Sequence, residues 1–349
     1  MNHKVKTKTH YLDVYDMKKL VSRVGFPDFI IMLIEQLRND FSRWEEFEKS
    51  PRTANHCTKG VIELMPISDG AYFSYKYVNG HPVNPSVGLP TIMSYGSLAE
   101  METGVPLLIS EMTILTALRT AATSVLAASL MANPEPDLMA MIGNGAQSEF
   151  QILAFYHVLG VKKFRLYDVD PLATKKVLNN LSGISDIQLT PVSSPSEAVL
   201  GCDIVTTCTA DKKFATILTR GQIEDGMHLN AIGGDCPGKT ELEKAIVEES
   251  LVVVEFTPQS RIEGEIQQMP DDFPVIELHE VIAGHKKGRE SSSDITLFDS
   301  VGFSLEDFSA LKLVYDLSQK ERIGSRMSIL PEMTDVKNLY GVLTDSSNA

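Results

Sequence analysis

The segment G-N-G-A-Q-S places Gly143, Gly145 and Ser148 in the spacing G-x-G-x-x-S, and Asp168 follows 25 residues after the first glycine. A glycine at the first position permits a tight turn. At the second it lets backbone approach a pyrophosphate at the N-terminus of the next helix. An acid at the end of the following strand accepts hydrogen bonds from both ribose hydroxyls and repels a 2′-phosphate, favouring NAD over NADP. The plain alternative is a pair of turn glycines with a solvated aspartate.

A second glycine-rich run, G-G-D-C-P-G-K-T over 233–240, matches the formal pattern of a phosphate loop. Asp235 would set a negative charge against the phosphates, and Pro237 removes one backbone donor, so a nucleoside triphosphate fits poorly. The run follows HLNAIG, at the strand end where doubly wound sheets bind ligands. There Asp235 is either a general acid/base or an ordinary turn residue.

Arg119 is the only charge between Met112 and Pro134. A guanidinium in such company stays protonated and needs an anion. A substrate carboxylate would serve, and so would a protein acid such as Glu111. The run is rich in Ala, Thr and Ser and carries its charge internally, which points to a buried helix and not a membrane span. Glu63 and Lys76 stand in mid-strand, where an exposed sheet face explains either one alone. Together with Arg52 they would give a pocket two or three cations and a carboxylate, a set suited to a diamino acid. His56, His81 and His228 show neither metal spacing nor Ser–His–Asp logic, and no metal is expected.

Two kinds of pattern must position these groups. Up to residue 134 the chain offers an amphipathic helix over 27–44 and three strands, GVIELMP, YFSYKYV and TIMSYGSLAEM. In the first strand Val61, Glu63 and Met65 share one face, opposite Ile62 and Leu64. In the second, Phe73, Tyr75 and Tyr77 oppose Ser74, Lys76 and Val78. From Asp137 the rhythm becomes LMAMIG, helix 147–159, KFRLYD, helix 171–181 and DIQLTPV. DIVTTCT, HLNAIG, LVVVEF, ITLFDSVG and a helix over 305–320 follow. Strands alternating with helices imply an α/β chain with a parallel, doubly wound Rossmann sheet. The NPEP segment (133–136) reads as a hinge, and the tail after the last helix can return to the first region.

The 349 residues carry a net charge of −14, with 43% hydrophobic and 22% charged residues, a globular composition whose field repels nucleic acid. Cys57, Cys202, Cys208 and Cys236 lie far apart, as suits reduced thiols in the cytoplasm. The first residues lack the apolar core of a secretion signal.

The motifs VIELMP, YKYVNGHP, SEMT before ALRTAATS, IGNGAQSEFQ, HLNAIGGDCPGKTEL, RIEGEIQQ and DSVGF span nearly the whole chain. Their combination resembles the ornithine cyclodeaminase/mu-crystallin family, and VIELMP with YKYVNGHP points to its bacterial cyclodeaminase branch. The resemblance implies a Rossmann NAD-binding domain over 135–321. It implies an α+β substrate-binding and dimerisation domain over 1–134, completed by 322–349, in a homodimer whose substrate domains share a barrel-like interface. Arg52, Lys76 and Arg119 would hold the carboxylate of L-ornithine, with Glu63 near its amines and Val301 lining it. Asp235 would be the catalytic acid/base. Thr91, Arg119, Gly143, Gly145, Ala146, Gln147, Asp168, Thr209, Ile232, Gly233, Gly234, Asp235, Lys239 and Ser300 would surround the cofactor. The implied reaction turns L-ornithine into L-proline and ammonia through an internal hydride cycle on NAD. Lysine cyclisation, a cyclic-imine reductase, an amino-acid dehydrogenase and a non-enzymatic dinucleotide-dependent binding protein are the alternatives.

Overall fold

The computed structural model describes residues 8–210, 216–234 and 236–344, whose strands fall into two sheets. The first contains β1 (Thr9–Leu12), β2 (Thr53–Cys57), β3 (Gly60–Ser68), β4 (Tyr72–Gly80), β5 (Ser94–Glu100) and β6 (Pro106–Glu111). Strands β2 to β6 run as an antiparallel meander, and β1 lies parallel beside β6. Helices α1 (Val14–Val24), α2 (Phe26–Ser42) and α3 (Thr113–Met131) accompany it. Asp13 caps α1 by accepting from the N–H groups of Tyr15 and Asp16, and Pro27 stands in the first turn of α2. Helix α3 is long and apolar enough to cross a membrane, but most of it is buried inside the fold.

Register decides which way the first sheet faces. Met65 pairs with Lys76 and Glu63 with Val78, so the period of two puts Glu63 and Lys76 on one face. That face is the inner one. Val61, Glu63, Met65, Lys76 and Val78 are buried, whereas Ile62, Leu64, Phe73 and Tyr95 are exposed. The exposed-face alternative for Glu63 and Lys76 is therefore excluded.

The second sheet is parallel throughout and holds β7 (Leu138–Ile142), β8 (Lys163–Tyr167), β9 (Gln188–Pro191), β10 (Ile204–Thr207), β11 (His228–Ala231), β12 (Leu251–Val254), β13 (Ile276–Glu277) and β14 (Thr296–Asp299). Its order, β9-β8-β7-β10-β11-β14-β12-β13, reverses direction between β7 and β10. Ligands of such sheets bind in the crevice beyond that switch point. Helices α4 (Ser148–Leu159), α5 (Pro171–Leu181), α6 (Pro195–Val199), α7 (Lys244–Glu249), α8 (Thr257–Glu263) and α9 (Leu278–Ile282) accompany these strands.

One helix joins the two layers. Helix α10 (Ser304–Glu321) follows β14, yet it lies against α2, α3 and the inner face of β3, β4 and β5. Ser309 donates to Asp40 of α2 at 2.7 Å, and the Phe308 ring meets Phe47 edge-on at 5.1 Å. The chain then returns as β15 (Ser325–Met327), antiparallel to β1, as the tail was expected to do. Phe308 is fully enclosed at this junction. Phe308→Ala is expected to destabilise the fold by about 3–5 kcal/mol, through lost burial plus a residual cavity. Urea unfolding followed by circular dichroism measures it, and a loss below about 1 kcal/mol would show that the junction collapses around the smaller side chain.

Candidate functional site

Gly143 ends β7 with φ +94°, a conformation costly for any residue with a Cβ, and its N–H donates to the Tyr167 carbonyl at 2.9 Å. An added Cβ would sit 2.6 Å from the Cys208 carbonyl oxygen, so the turn is pressed against the loop after β10. Gly145 faces open space. Helix α4 begins beyond it with no side-chain cap; its Ser148 N–H turns back to the Gly145 carbonyl at 3.3 Å, and the N–H groups that follow in the first turn point toward an anion site. Ser148 Oγ donates to the Gly145 carbonyl at 2.8 Å, a contact that a third glycine could not make. Gln147 Nε2 ties the turn to α3 through the Ala117 carbonyl at 3.1 Å. The Asp168 carboxylate accepts from the N–H groups of Asn144 at 2.6 Å and Asp170 at 2.8 Å, which fixes it at the rim. These features fit a dinucleotide.

In front of the turn lies a cavity of about 630 Å³. The Gly145–Ala146–Gln147 turn, Thr91, Thr209, Ile232, Gly233, Lys239 and Ser300 line one part of it. Arg52, Glu63, Lys76, Arg119 and Val301 line another. Gly143, Asp168 and Gly234 stand behind or beside this lining. Asp235 lies outside the described residues. The phosphate-loop pattern does not open a helix, since α7 starts only at Lys244, and Lys239 Nζ donates to the Thr209 carbonyl at 2.7 Å.

Buried acids hold the loops around the cavity. Asp299 accepts from the backbone N–H of Glu265 at 2.8 Å and of Ile266 at 3.0 Å. Glu265 accepts from Glu241 N–H at 2.7 Å and Leu242 N–H at 3.2 Å. Glu241 in turn accepts from Thr209, through its N–H at 3.0 Å and its hydroxyl. Burial pushes the Asp299 carboxyl up to about 7 and raises those of Glu265 and Glu241.

The three cations also have protein partners. Lys76 Nζ is 2.8 Å from Asp307, and Arg119 Nη1 is 2.6 Å from Glu306, with its Nε 3.1 Å from Asp307. Arg52 meets Glu63 at 3.1 Å and Glu263 at 3.2 Å, and donates to the Val301 and Gly302 carbonyls at 2.7 and 2.6 Å. The suggested Glu111 partner for Arg119 is corrected: Glu111 instead accepts from Ile114 N–H at 3.1 Å and so caps α3. Burial, with the Arg119 charge beside it, lowers Lys76 to about 8. Sequence reading missed Glu241, Glu255, Glu263, Glu265, Glu306 and Asp307. A signal existed for three of them, in acids set within apolar runs as LVVVEF and GFSLEDF.

The chain is similar to known proteins over most of its length. The model of the ornithine cyclodeaminase/mu-crystallin family matches residues 14–322. The ornithine cyclodeaminase of Brucella suis biovar 1 (strain 1330) is 53% identical over 333 residues, 95% of this chain and 93% of that protein. An archaeal alanine dehydrogenase dimer with bound NAD superimposes with a TM-score of 0.84 at 31% identity, covering 93% of this chain and all of that one. A lysine cyclodeaminase, studied for recognition of L-lysine, L-ornithine and L-2,4-diaminobutyric acid, gives 0.90 at 27% identity over 96% and 99% of the two chains.

Gly143→Ala is expected to weaken NADH binding at least about tenfold, or roughly 1.4 kcal/mol, because its Cβ must displace the Cys208 backbone. Fluorescence titration with NADH measures this, and an unchanged dissociation constant would remove the turn from the binding site.

Proposed function

The chain belongs to the ornithine cyclodeaminase/mu-crystallin family, and on that premise we propose that it converts L-ornithine to L-proline and ammonia with a recycled NAD. The observation that carries this reading is the convergence of Arg52, Lys76 and Arg119 on one cavity with the dinucleotide turn.

Each part of the site takes a role. The Gly145–Gln147 backbone and the start of α4 hold the pyrophosphate, and Asp168 holds the ribose hydroxyls. Thr91, Thr209, the Ile232–Gly233–Gly234 loop, Lys239 and Ser300 enclose the remainder. The chemistry such a dinucleotide supplies is hydride exchange, withdrawn from the substrate α-carbon and returned after cyclisation, so no net redox change results. Arg52, Lys76 and Arg119 neutralise the substrate carboxylate, Glu63 attracts an amine, and Val301 packs beside the carbon chain. Asp235 stands between the cavity-lining Gly233 and Cys236 in sequence, and on that position it is the acid/base. It takes a proton from the δ-nitrogen, which attacks the α-imine carbon, and it returns a proton as ammonia leaves. Both reacting centres belong to one bound molecule, which is worth effective molarities of roughly 10⁵ M or more.

The proposal assigns residues 1–134 and the returning tail to substrate binding and pairing, and 135–321 to the dinucleotide. It includes a homodimer in the cytoplasm, where the four free cysteines stay reduced. Support for pairing comes from the exposed apolar face of Ile62, Leu64, Phe73 and Tyr95, with Tyr77 and Tyr95 stacked at 5.1 Å. A patch of this kind is normally covered. Leu64→Asp is expected to give a folded monomer in sedimentation velocity where the parent chain sediments as a dimer. Dimers from both would exclude this face.

L-Ornithine deuterated at the α-carbon, incubated with substoichiometric NAD⁺, tests the reaction. The expected product is proline in excess of cofactor with deuterium retained at the α-carbon, read by mass spectrometry. Stoichiometric NADH without proline would make the chain an ordinary dehydrogenase. L-Lysine in parallel reads chain-length preference, for which one methylene is worth about 1–3 kcal/mol.

A further inference from the structure

Arg52, Lys76 and Arg119 are outnumbered by the acids packed around them. Among the described residues, Arg52, Lys76 and Arg119 share one buried cluster with five carboxyl groups, Glu63, Glu255, Glu263, Glu306 and Asp307. A sealed cluster does not hold two surplus negative charges, because desolvation of an unpaired carboxylate costs far more than protonating it. A carboxylate ligand that brings no amine adds a further negative charge, so at least one of these groups must carry a proton when such a ligand binds.

Their contacts single out which. Glu63 and Glu263 each meet Arg52, and Asp307 meets both Lys76 and Arg119. Glu255 accepts from the Ser300 hydroxyl at 2.5 Å and from the N–H groups of Val301 and Gly302, both at 3.2 Å, donors that favour a carboxylate. Glu306 is wholly buried, meets one cation, Arg119 at 2.6 Å, and takes besides it only a long Phe303 N–H at 3.4 Å, with two acids packed beside it. Its acidic neighbours come from two elements, Asp307 on α10 and Glu255 after β12. The cations facing it are Arg119 of α3 and, beyond it, Lys76 of β4.

We propose that Glu306 is a positioning residue for substrate: as a neutral acid it leaves the charge of Arg119 available to the substrate carboxylate, and on ionising it claims that charge and shuts the carboxylate out. This rests on the reading of Arg119 as part of the carboxylate site. The step is a single proton exchange with solvent, and no bond to carbon is made or broken. Burial, with Glu255 and Asp307 of like sign nearby, raises the Glu306 carboxyl to about 8. Carboxylate affinity is thus present below about pH 8 and lost above it.

Tetrahydrofuran-2-carboxylate, a proline-shaped acid without an amine, tests this by calorimetry on the NADH-bound enzyme between pH 7 and pH 9. In the parent chain its dissociation constant is expected to rise about tenfold between pH 7 and pH 9, about fivefold of it over the upper unit, as linkage to one proton requires. In Glu306→Gln most of that rise is expected to disappear. Equal slopes in both proteins would assign the pH dependence to Lys76, which also titrates near 8, and would overturn the proposal. A Gln variant that binds tenfold more weakly at pH 7 would overturn it too, because Glu306 would then be acting as a charge. Should the variant not fold, infrared spectra of the parent chain serve: a protonated-carboxyl stretch must be lost between pH 7 and pH 9, and its absence at pH 7 sinks the idea. Arg119→Lys separates the two readings. Unchanged affinity at pH 7 in that variant would mean that the carboxylate site itself has been misplaced.

Discussion

A guanidinium or ammonium taken out of water keeps its charge only beside acids, and this cavity wall holds three such cations at once. The rest of the molecule is arranged to supply the acids without burying the cations beyond reach of a ligand. Helix α10 delivers Glu306 and Asp307 from its first turn, where the helix dipole lowers the cost of negative charge. Strand β3 brings Glu63, α8 brings Glu263, and the end of β12 brings Glu255. Four elements from three separate stretches of the chain therefore meet at one small set of charges. Their packing is specified by that set as much as by the apolar core around it.

The same requirement shapes the first sheet. An antiparallel sheet with one wet face ordinarily hides its apolar side chains and shows its polar ones. Here the inner face sets Glu63 and Lys76 among the buried Val61, Met65 and Val78, and the outer face turns Ile62, Leu64, Phe73 and Tyr75 outward. Chemistry on the inside and an apolar outer face are two consequences of one register.

The parallel sheet was legible because its signals are local. Short apolar strands, periodic helices and the Gly143–Asp168 spacing each sit within about thirty residues. The helices expected over 147–159, 171–181 and 305–320 match α4, α5 and α10 to within one residue at each end. Strands β1, β2, β6, β13 and β15 escaped notice. β1, β13 and β15 are only two to four residues long, with β1 and β15 paired across the length of the chain, and β2 (TANHC) is polar. In the site, residues carrying an unusual charge in apolar surroundings could be picked out singly. Their partners could not be, since nothing in the sequence indicates that Arg119 and Glu306, 187 positions apart, close to 2.6 Å. The resemblance located the cations; only the fold reveals that each is already paired.

The loop at Ser300, Val301 and Gly302 connects these observations, because both halves of the cavity depend on it. Glu255 grips all three residues, Arg52 reads the carbonyls of the last two, and Arg119 packs against Gly302 so closely that a Cβ there would lie 2.8 Å from Nη1. Gly302 also has φ +76°, so both its backbone conformation and its contact with Arg119 exclude a side chain. Ser300 lines the cavity and gives its hydroxyl to Glu255, and two residues later the same backbone fixes the guanidinium groups of Arg52 and Arg119. A shift of about 1 Å in this loop would therefore move the cations relative to the dinucleotide turn, a displacement that alone costs such chemistry about a hundredfold in rate. The carboxyl groups around this loop thus balance charge and also hold the two halves of the cavity in register.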